Sequence, residues 1–210
     1  MDPVALLDRL ARDLTAPSSP LRARALAAVA ADGALSEAMA RRVLDLTVAR
    51  YTPDALASLR TDRFADRAVR VVLASSVAVA PLRAIALPLL YGARSLRVKP
   101  SSRQPRFASL LVEALATHDV DVALDEGAPA DVVVAYGGDE TLTAMRDALP
   151  EGVVFYGYGH GYGASVVTEP SEDAARAVAL DVALHDQRGC LRSRCWWWET
   201  RAFALALRRR

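Results

Sequence analysis

The sequence predicts an α/β fold in which a parallel sheet is layered with helices and preceded by an N-terminal helical arm. Three observations predict it. From about residue 67, short apolar runs alternate with helix-period segments over short connections, the pattern of parallel strands joined by crossover helices. Asp131-Val132-Val133-Val134-Ala135-Tyr136 is apolar at nearly every position, as a strand covered on both faces must be. The first sixty-odd residues show only helical spacing and helix breakers.

In the arm, residues 1–66, Val4, Leu7, Leu10 and Leu14 lie at helical spacing and stop at Pro17-Ser18-Ser19-Pro20. Residues 21–31 form a second helix ended by Asp32-Gly33. Residues 35–51 form a third, with Met39, Val43, Leu44 and Val48 near one face. No chemistry is legible in this arm. The α/β domain is assigned to 67–185. It begins with a strand at 69–73, an apolar helix at 82–90 that carries Pro88, a strand at 95–98, a helix at 107–117 and a strand at 120–124. The apolar strand at 131–136 follows, then a helix from about Glu140 to Leu149, strands at 153–156 and 165–167, and a helix at 172–184. Residues 186–210 are a loop and a tail.

The chain has 210 residues, 52% hydrophobic and 24% charged, with a net charge of +1. That balance excludes nucleic-acid binding through a basic field, and the apolar content excludes disorder. Arg83 interrupts the most apolar stretch, so nothing reads as a membrane span. Two cysteines, Cys190 and Cys195, cannot build a disulfide framework, and no signal-peptide pattern is visible, so the expected compartment is the reducing cytoplasm. Their number and spacing, with His118 and His160 far off, predict no metal site. Lys99 is the single lysine among 26 basic residues, asparagine is absent, and Trp196, Trp197 and Trp198 are consecutive.

Four segments carry possible chemistry. Gly137-Gly138-Asp139-Glu140-Thr141 joins a strand to a helix; it reads as a tight turn with Asp139 or Thr141 capping the helix, or as a phosphate site at a helix N-terminus. It is not the G-x-G-x-x-G dinucleotide fingerprint. Lys99 ends a strand at the edge where open α/β sheets bind ligands, and its ammonium suits ribose hydroxyls or a phosphate. Cys190 follows a glycine in a loop, with Arg188 near enough in sequence to favour a thiolate, or else is an inert small hydrophobe. Gly157-Tyr158-Gly159-His160-Gly161-Tyr162-Gly163 lets backbone approach a ligand or packs strands tightly, and His160 is a candidate acid or base.

In order and spacing these segments resemble the cofactor-binding half of the aldehyde dehydrogenase superfamily, and within it the fatty acyl-CoA reductases of the bioluminescence type. The resemblance covers roughly residues 68–191. It rests on Leu96-Arg97-Val98-Lys99-Pro100-Ser101, on Pro88 in the preceding helix, on the 137–141 turn and on Gln187-Arg188-Gly189-Cys190-Leu191. It implies a Rossmann-type parallel sheet with the catalytic half missing. It also implies a cofactor, NADPH with NADH as the alternative, held by Lys99, Ser101, Gly137, Gly138, Asp139, Glu140 and Thr141. By the same resemblance Cys190 is the nucleophile.

Two departures qualify the likeness. Hydrolytic members carry a glutamate base before a glycine pair, where this chain reads Tyr158-Gly159-His160-Gly161. They also use an asparagine in the oxyanion hole, where Ser75 and Ser76 stand in that neighbourhood. The catalytic candidates are therefore Cys190, His160 and Ser76. The implied reaction is reduction of a fatty acyl-CoA, or of an acyl-protein thioester, to the aldehyde through a cysteine thioester, by a chain that is a homo-oligomer in its full-length form. The competing readings are a reductase of the glutamyl-phosphate type and a non-catalytic nucleotide-binding fragment.

After Leu191 the text departs from the family pattern and becomes Arg192-Ser193-Arg194-Cys195-Trp196-Trp197-Trp198. A repeat of the tryptophan codon read one base out encodes valine, so the tail is read as a frame-shifted segment outside the fold; the alternative is a basic–aromatic tail that meets a partner. Sequencing the gene across codon 191 checks this: a long open frame in the neighbouring phase is expected, and its absence rejects the frameshift. The 210-residue chain is expected to be poorly soluble, with little or no turnover.

Overall fold

The computed structural model describes residues 1–75, 77–159, 163–167, 169, 171–184 and 193–197, with 163–166 and 193–197 described by backbone alone. Four helices form the arm: α1 (Pro3–Thr15), α2 (Pro20–Gly33), α3 (Glu37–Val48) and α4 (Pro53–Ser58). Each starts where a polar side chain takes up an orphan amide: Asp2, Ser19, Ser36 and Thr52 accept from Ala5, Arg22, Met39 and Ala55. The third helix was expected to run to Tyr51. It stops at Val48, because Thr52-Pro53 starts a separate short helix whose proline fits only a first turn. Buried Arg22 locks three of these helices. It donates to the Leu14 carbonyl at 2.8 Å and makes a forked pair with Asp45 at 2.6 and 3.2 Å.

Five strands, β1 (Ala68–Val72), β2 (Ser95–Lys99), β3 (Val122–Leu124), β4 (Val132–Tyr136) and β5 (Val154–Tyr158), form one parallel sheet in the order β3-β2-β1-β4-β5. Alternation sorts their side chains between two faces. Val69, Val71, Leu96, Val98, Val132 and Val134 join one large core with α5 (Ala80–Leu90), α6 (Arg106–Ala116) and the arm's Leu6, Leu14, Val29 and Leu44. Val133 and Ala135 face the other way, against Leu142 of α7 (Asp139–Asp147). The sheet is thus doubly wound, a Rossmann-type parallel sheet of the kind the resemblance implies. The crossover from β3 to β4 contains no helix. Residues 125–131 cross beneath β2 and β1, held by Arg70, which donates to the Ala128 carbonyl and pairs with Asp125 at 3.2 Å.

A second, two-stranded parallel sheet pairs β6 (Gly163–Val166) with β7 (Ser193–Trp197), with α8 (Glu172–Ala183) between them in the chain. The tail segment expected to lie outside the fold therefore contains a strand, paired from Gly163↔Ser193 to Val166↔Trp197 with a register shift between Gly163 and Ala164.

Asp32 joins arm to sheet. Its side chain is 1% exposed, and its carboxylate accepts from Phe107 at 2.8 Å and Arg106 at 3.2 Å, the first amides of α6. An anion on a helix N-terminus satisfies orphan donors and the helix dipole together. Asp32→Ala should lower unfolding free energy by about 2 kcal/mol, at the upper end for a cap because the amides it abandons are partly buried. Asp32→Asn should lose less. Urea unfolding of the three chains checks this, and equal midpoints would reject it.

Candidate functional site

Parallel strands end on the same side, so the loops after β1, β2, β4 and β5 share one edge of the sheet. The chain reverses its winding between β1 and β4, and such a switch point opens a crevice at the carboxyl edge. Lys99 ends β2 there, exposed, opposite Val72. It makes no ion pair among the described residues. Ser101, 7% exposed, accepts from the Arg103 amide at 3.2 Å and shares a hydrogen bond with the Ser75 hydroxyl in the loop after β1. Its hydroxyl ties two loops of the crevice together and leaves Lys99 as the reaching group.

After β4, Gly138 is the N-cap of α7, and no side chain caps that helix. The reading of Asp139 or Thr141 as the cap is corrected: both stand inside the first turn, with Glu140 between them. The extended backbone of Gly138 puts the helix start one residue earlier than a cap at 139 needs. Gly137 donates to the Tyr158 carbonyl at 3.2 Å, which joins this turn to the end of β5. A Cβ on Gly159 would overlap Oδ1 of Asp139, so the glycine-rich segment packs tightly against the protein's own side chain at that point.

Three helices start at this edge, and their first turns differ. In α5 the Ala80 and Leu82 amides bond to Val77 and Val79, and Pro81 has no N–H. In α6 Asp32 occupies the amides. Among the described residues, α7 is the one of the three whose N-terminus has no side-chain cap, no proline and no carboxylate from another element; its own Asp139 and Glu140 are exposed.

Sequence reasoning missed three residues beside this turn. Tyr136 and Tyr158 end paired strands, and their rings stack with centroids 5.0 Å apart and planes at 15°. Arg83, on the first turn of α5, was read only as an interruption of an apolar run. It makes no ion pair among the described residues, and its positive charge reaches both Tyr51 and Tyr136. Burial raises the Tyr136 hydroxyl above the usual tyrosine range, as does Tyr158, while Arg83 opposes the rise. Only strand register could have revealed the tyrosine pair. The catalytic candidates Ser76, His160 and Cys190 lie outside the described residues.

A sequence model of the acyl-CoA reductase (LuxC) family matches residues 61–205, which includes Cys190 and the three tryptophans. No curated protein matches the chain. Among solved structures, an NAD-dependent benzaldehyde dehydrogenase from Corynebacterium glutamicum is similar with a TM-score of 0.66 at 16% identity, over 92% of this chain and 49% of that one. A salicylaldehyde dehydrogenase from Pseudomonas putida G7, in complex with salicylaldehyde, gives 0.67 at 12% identity, over 100% and 51%. An NADP-dependent glyceraldehyde-3-phosphate dehydrogenase from Bacillus halodurans C-125, in complex with NADP, gives 0.64 at 15%, over 99% and 51%. The fold is that of aldehyde dehydrogenases, and this chain spans about half the length of the structures it matches.

The electrostatics around Arg83 are open to titration. Burial pushes the Tyr51 hydroxyl up to about 12, with Arg83 pulling the other way. A raised acid holds its proton more tightly when folded, so its stabilising effect is complete below the ordinary tyrosine range and is lost as the pH climbs through the folded value. Between pH 10 and 12, Tyr51→Phe should lose stability less steeply than the parent in urea unfolding. Arg83→Met should delay tyrosinate absorbance further, and an unchanged titration would show that the guanidinium stands elsewhere.

Proposed function

This chain belongs to the acyl-CoA reductase (LuxC) family, and from that premise we propose that it is the cofactor-binding part of an NADPH-dependent reductase that turns a fatty acyl thioester into the aldehyde. The acyl donor is a fatty acyl-CoA or an acyl-protein thioester. The observation that carries the cofactor reading is the pairing of Lys99 with the uncapped start of α7 across the switch point.

The residues present fit a dinucleotide. The Lys99 ammonium would donate to the hydroxyls of the adenosine ribose. The α7 amides would donate to diphosphate oxygens, and Asp139 and Glu140 would accept from ribose hydroxyls. When bound, the reduced nicotinamide supplies the hydride. Ser101 and Ser75 hold the lysine's loop in position, and Ser76, next in sequence to Ser75, is the candidate to offer a hydroxyl to the carbonyl oxygen of the acyl group as negative charge develops there.

Cys190 is the nucleophile in this reading. Its thiolate adds to the thioester carbonyl and expels the donor's thiolate, which takes up a proton; the acyl group stays on Sγ. His160 is the candidate proton carrier near neutral pH. The sequence places no carboxylate where the hydrolytic members carry their glutamate, so no such base would draw water to the acyl group, and hydride addition to the acyl carbon would be favoured over hydrolysis.

Incubation with radiolabelled long-chain acyl-CoA should leave a hydroxylamine-sensitive label that disappears in Cys190→Ala. Lys99→Met should weaken NADPH binding by about tenfold, the loss of one charge-assisted hydrogen bond. An unlabelled parent chain overturns the cysteine assignment; equal NADPH affinity overturns the lysine's.

A further inference from the structure

Tyr158 is an unusual side chain to leave in solvent. Among the described residues only four large hydrophobic side chains are exposed, Met1, Leu59, Leu124 and Tyr158, and Tyr158 is the one aromatic. It is 54% exposed, yet its position is fixed. It stands directly opposite Tyr136 in the β4–β5 register, on the same face of the sheet, with the rings stacked 5.0 Å apart. Tyr136 is half-buried against the main core, so it serves as a backing plate, and the outer side of Tyr158 is left open. The backbone on both sides is held as well. The Tyr158 carbonyl accepts from Gly137, and Gly159 packs against Asp139. The result is a flat, electron-rich surface at the carboxyl edge, on the face of the sheet that carries the main core, with its backbone tied to the turn that opens α7.

We infer that Tyr158, backed by Tyr136, is the surface on which the nicotinamide ring of the cofactor stacks. The inference rests on the dinucleotide reading above and adds the residue that sets the ring's position. The choice between the two rings of the dinucleotide follows from strand order. Lys99 ends β2 and Tyr158 ends β5, three strands away. At a strand spacing of about 4.8 Å the two ends lie about 14 Å apart. With the adenosine ribose on Lys99 and the diphosphate at α7, after β4, the chain of the cofactor runs across the edge toward β5. The ring that arrives there is the nicotinamide. Flat aromatic rings prefer offset stacking, and the tyrosine's π-face suits the electron-poor oxidised ring as well as the reduced one.

Fragment binding tests this on the 210-residue chain. NADPH, reduced nicotinamide mononucleotide and 2′-phospho-ADP-ribose are titrated against the parent, Tyr158→Phe and Tyr158→Leu. The expected result is that Tyr158→Leu weakens NADPH and the mononucleotide by about tenfold, while 2′-phospho-ADP-ribose binds as to the parent. Tyr158→Phe should restore affinity, because the ring and not the hydroxyl stacks. Equal affinity of Tyr158→Leu for NADPH overturns the platform while leaving the cofactor reading intact, and so does an equal loss for the phospho-ADP-ribose fragment. A parent that binds neither NADPH nor NADH overturns both. Circular dichroism of the variants should match the parent, since Tyr158 contributes little buried surface.

Discussion

A carboxylate with almost no contact with solvent joins the two halves of this molecule. Asp32 ends α2, belongs to a segment with no chemistry of its own, and spends both oxygens on the first amides of α6. A buried anion is tolerable only when its lone pairs are satisfied, and a helix N-terminus offers amides and a favourable dipole at once. The consequences run outward from that bond. It fixes the start of α6, and so the loop between Lys99 and Arg106. The Ser75–Ser101 hydrogen bond then fixes that loop to the end of β1. It also removes α6 from the helices able to receive a phosphate. An interaction of the arm thus decides which helix at the carboxyl edge stays open.

The β3-to-β4 crossover sets the second condition. A switch point exists only if the chain, having wound outward from β1 through β2 to β3, returns to pair β4 on the free side of β1. Here the return is made without a helix, by residues 125–131, and the cost of crossing a sheet face with bare chain is offset by Arg70. Its neighbour across the β1–β2 register is Arg97, which pairs with Asp121 at 2.7 Å. Two adjacent guanidinium groups on one sheet face are compatible because each has its own carboxylate. Shortening this crossover, or replacing Arg70 with a neutral side chain, would act on the position of β4 and through it on α7 and the tyrosine pair.

What the sequence made legible follows from the range of each interaction. Helical spacing in the arm, the apolar β4 and the alternation of strand and helix are local signals, and the order of elements could be read from them. The reversal of strand order at β1 is not a local signal, and a Rossmann-type sheet was implied only by the family resemblance. Asp32 could not: it looks like a helix stop before a glycine, and its partners are 74 and 75 residues away. Arg83 looked like a break in an apolar stretch because its neighbours Tyr51 and Tyr136 come from other elements. Tyr136 and Tyr158 became a pair only through register, and β7 was missed because arginine and cysteine around it hide the period of a strand. Motif resemblance pointed to Lys99 and the 137–141 turn, which the structure places at one edge of the sheet, but it could not tell which residue caps α7.

The start of α7 poses the sharpest electrostatic question in the crevice. Its dipole favours an anion, worth about 0.3–1 kcal/mol at an exposed end, while Asp139 and Glu140 already satisfy part of that preference with their own charge. A diphosphate brought to the same turn meets two carboxylates in water, where each like-charge contact costs on the order of 1 kcal/mol at close range. The amides alone barely offset this. Net attraction needs a cation from another element, and across the switch point the described residues supply three without ion pairs: Lys99 on β2, Arg103 in the loop after it and Arg83 on α5. Selectivity follows from the same balance. A lone phosphate gains the amides and meets the carboxylates, whereas a dinucleotide also offers ribose hydroxyls to those carboxylates and further anionic oxygens to the cations. The acidic first turn, which looks like a defect in a phosphate site, is therefore what would make this crevice reject small anions and accept an extended ligand.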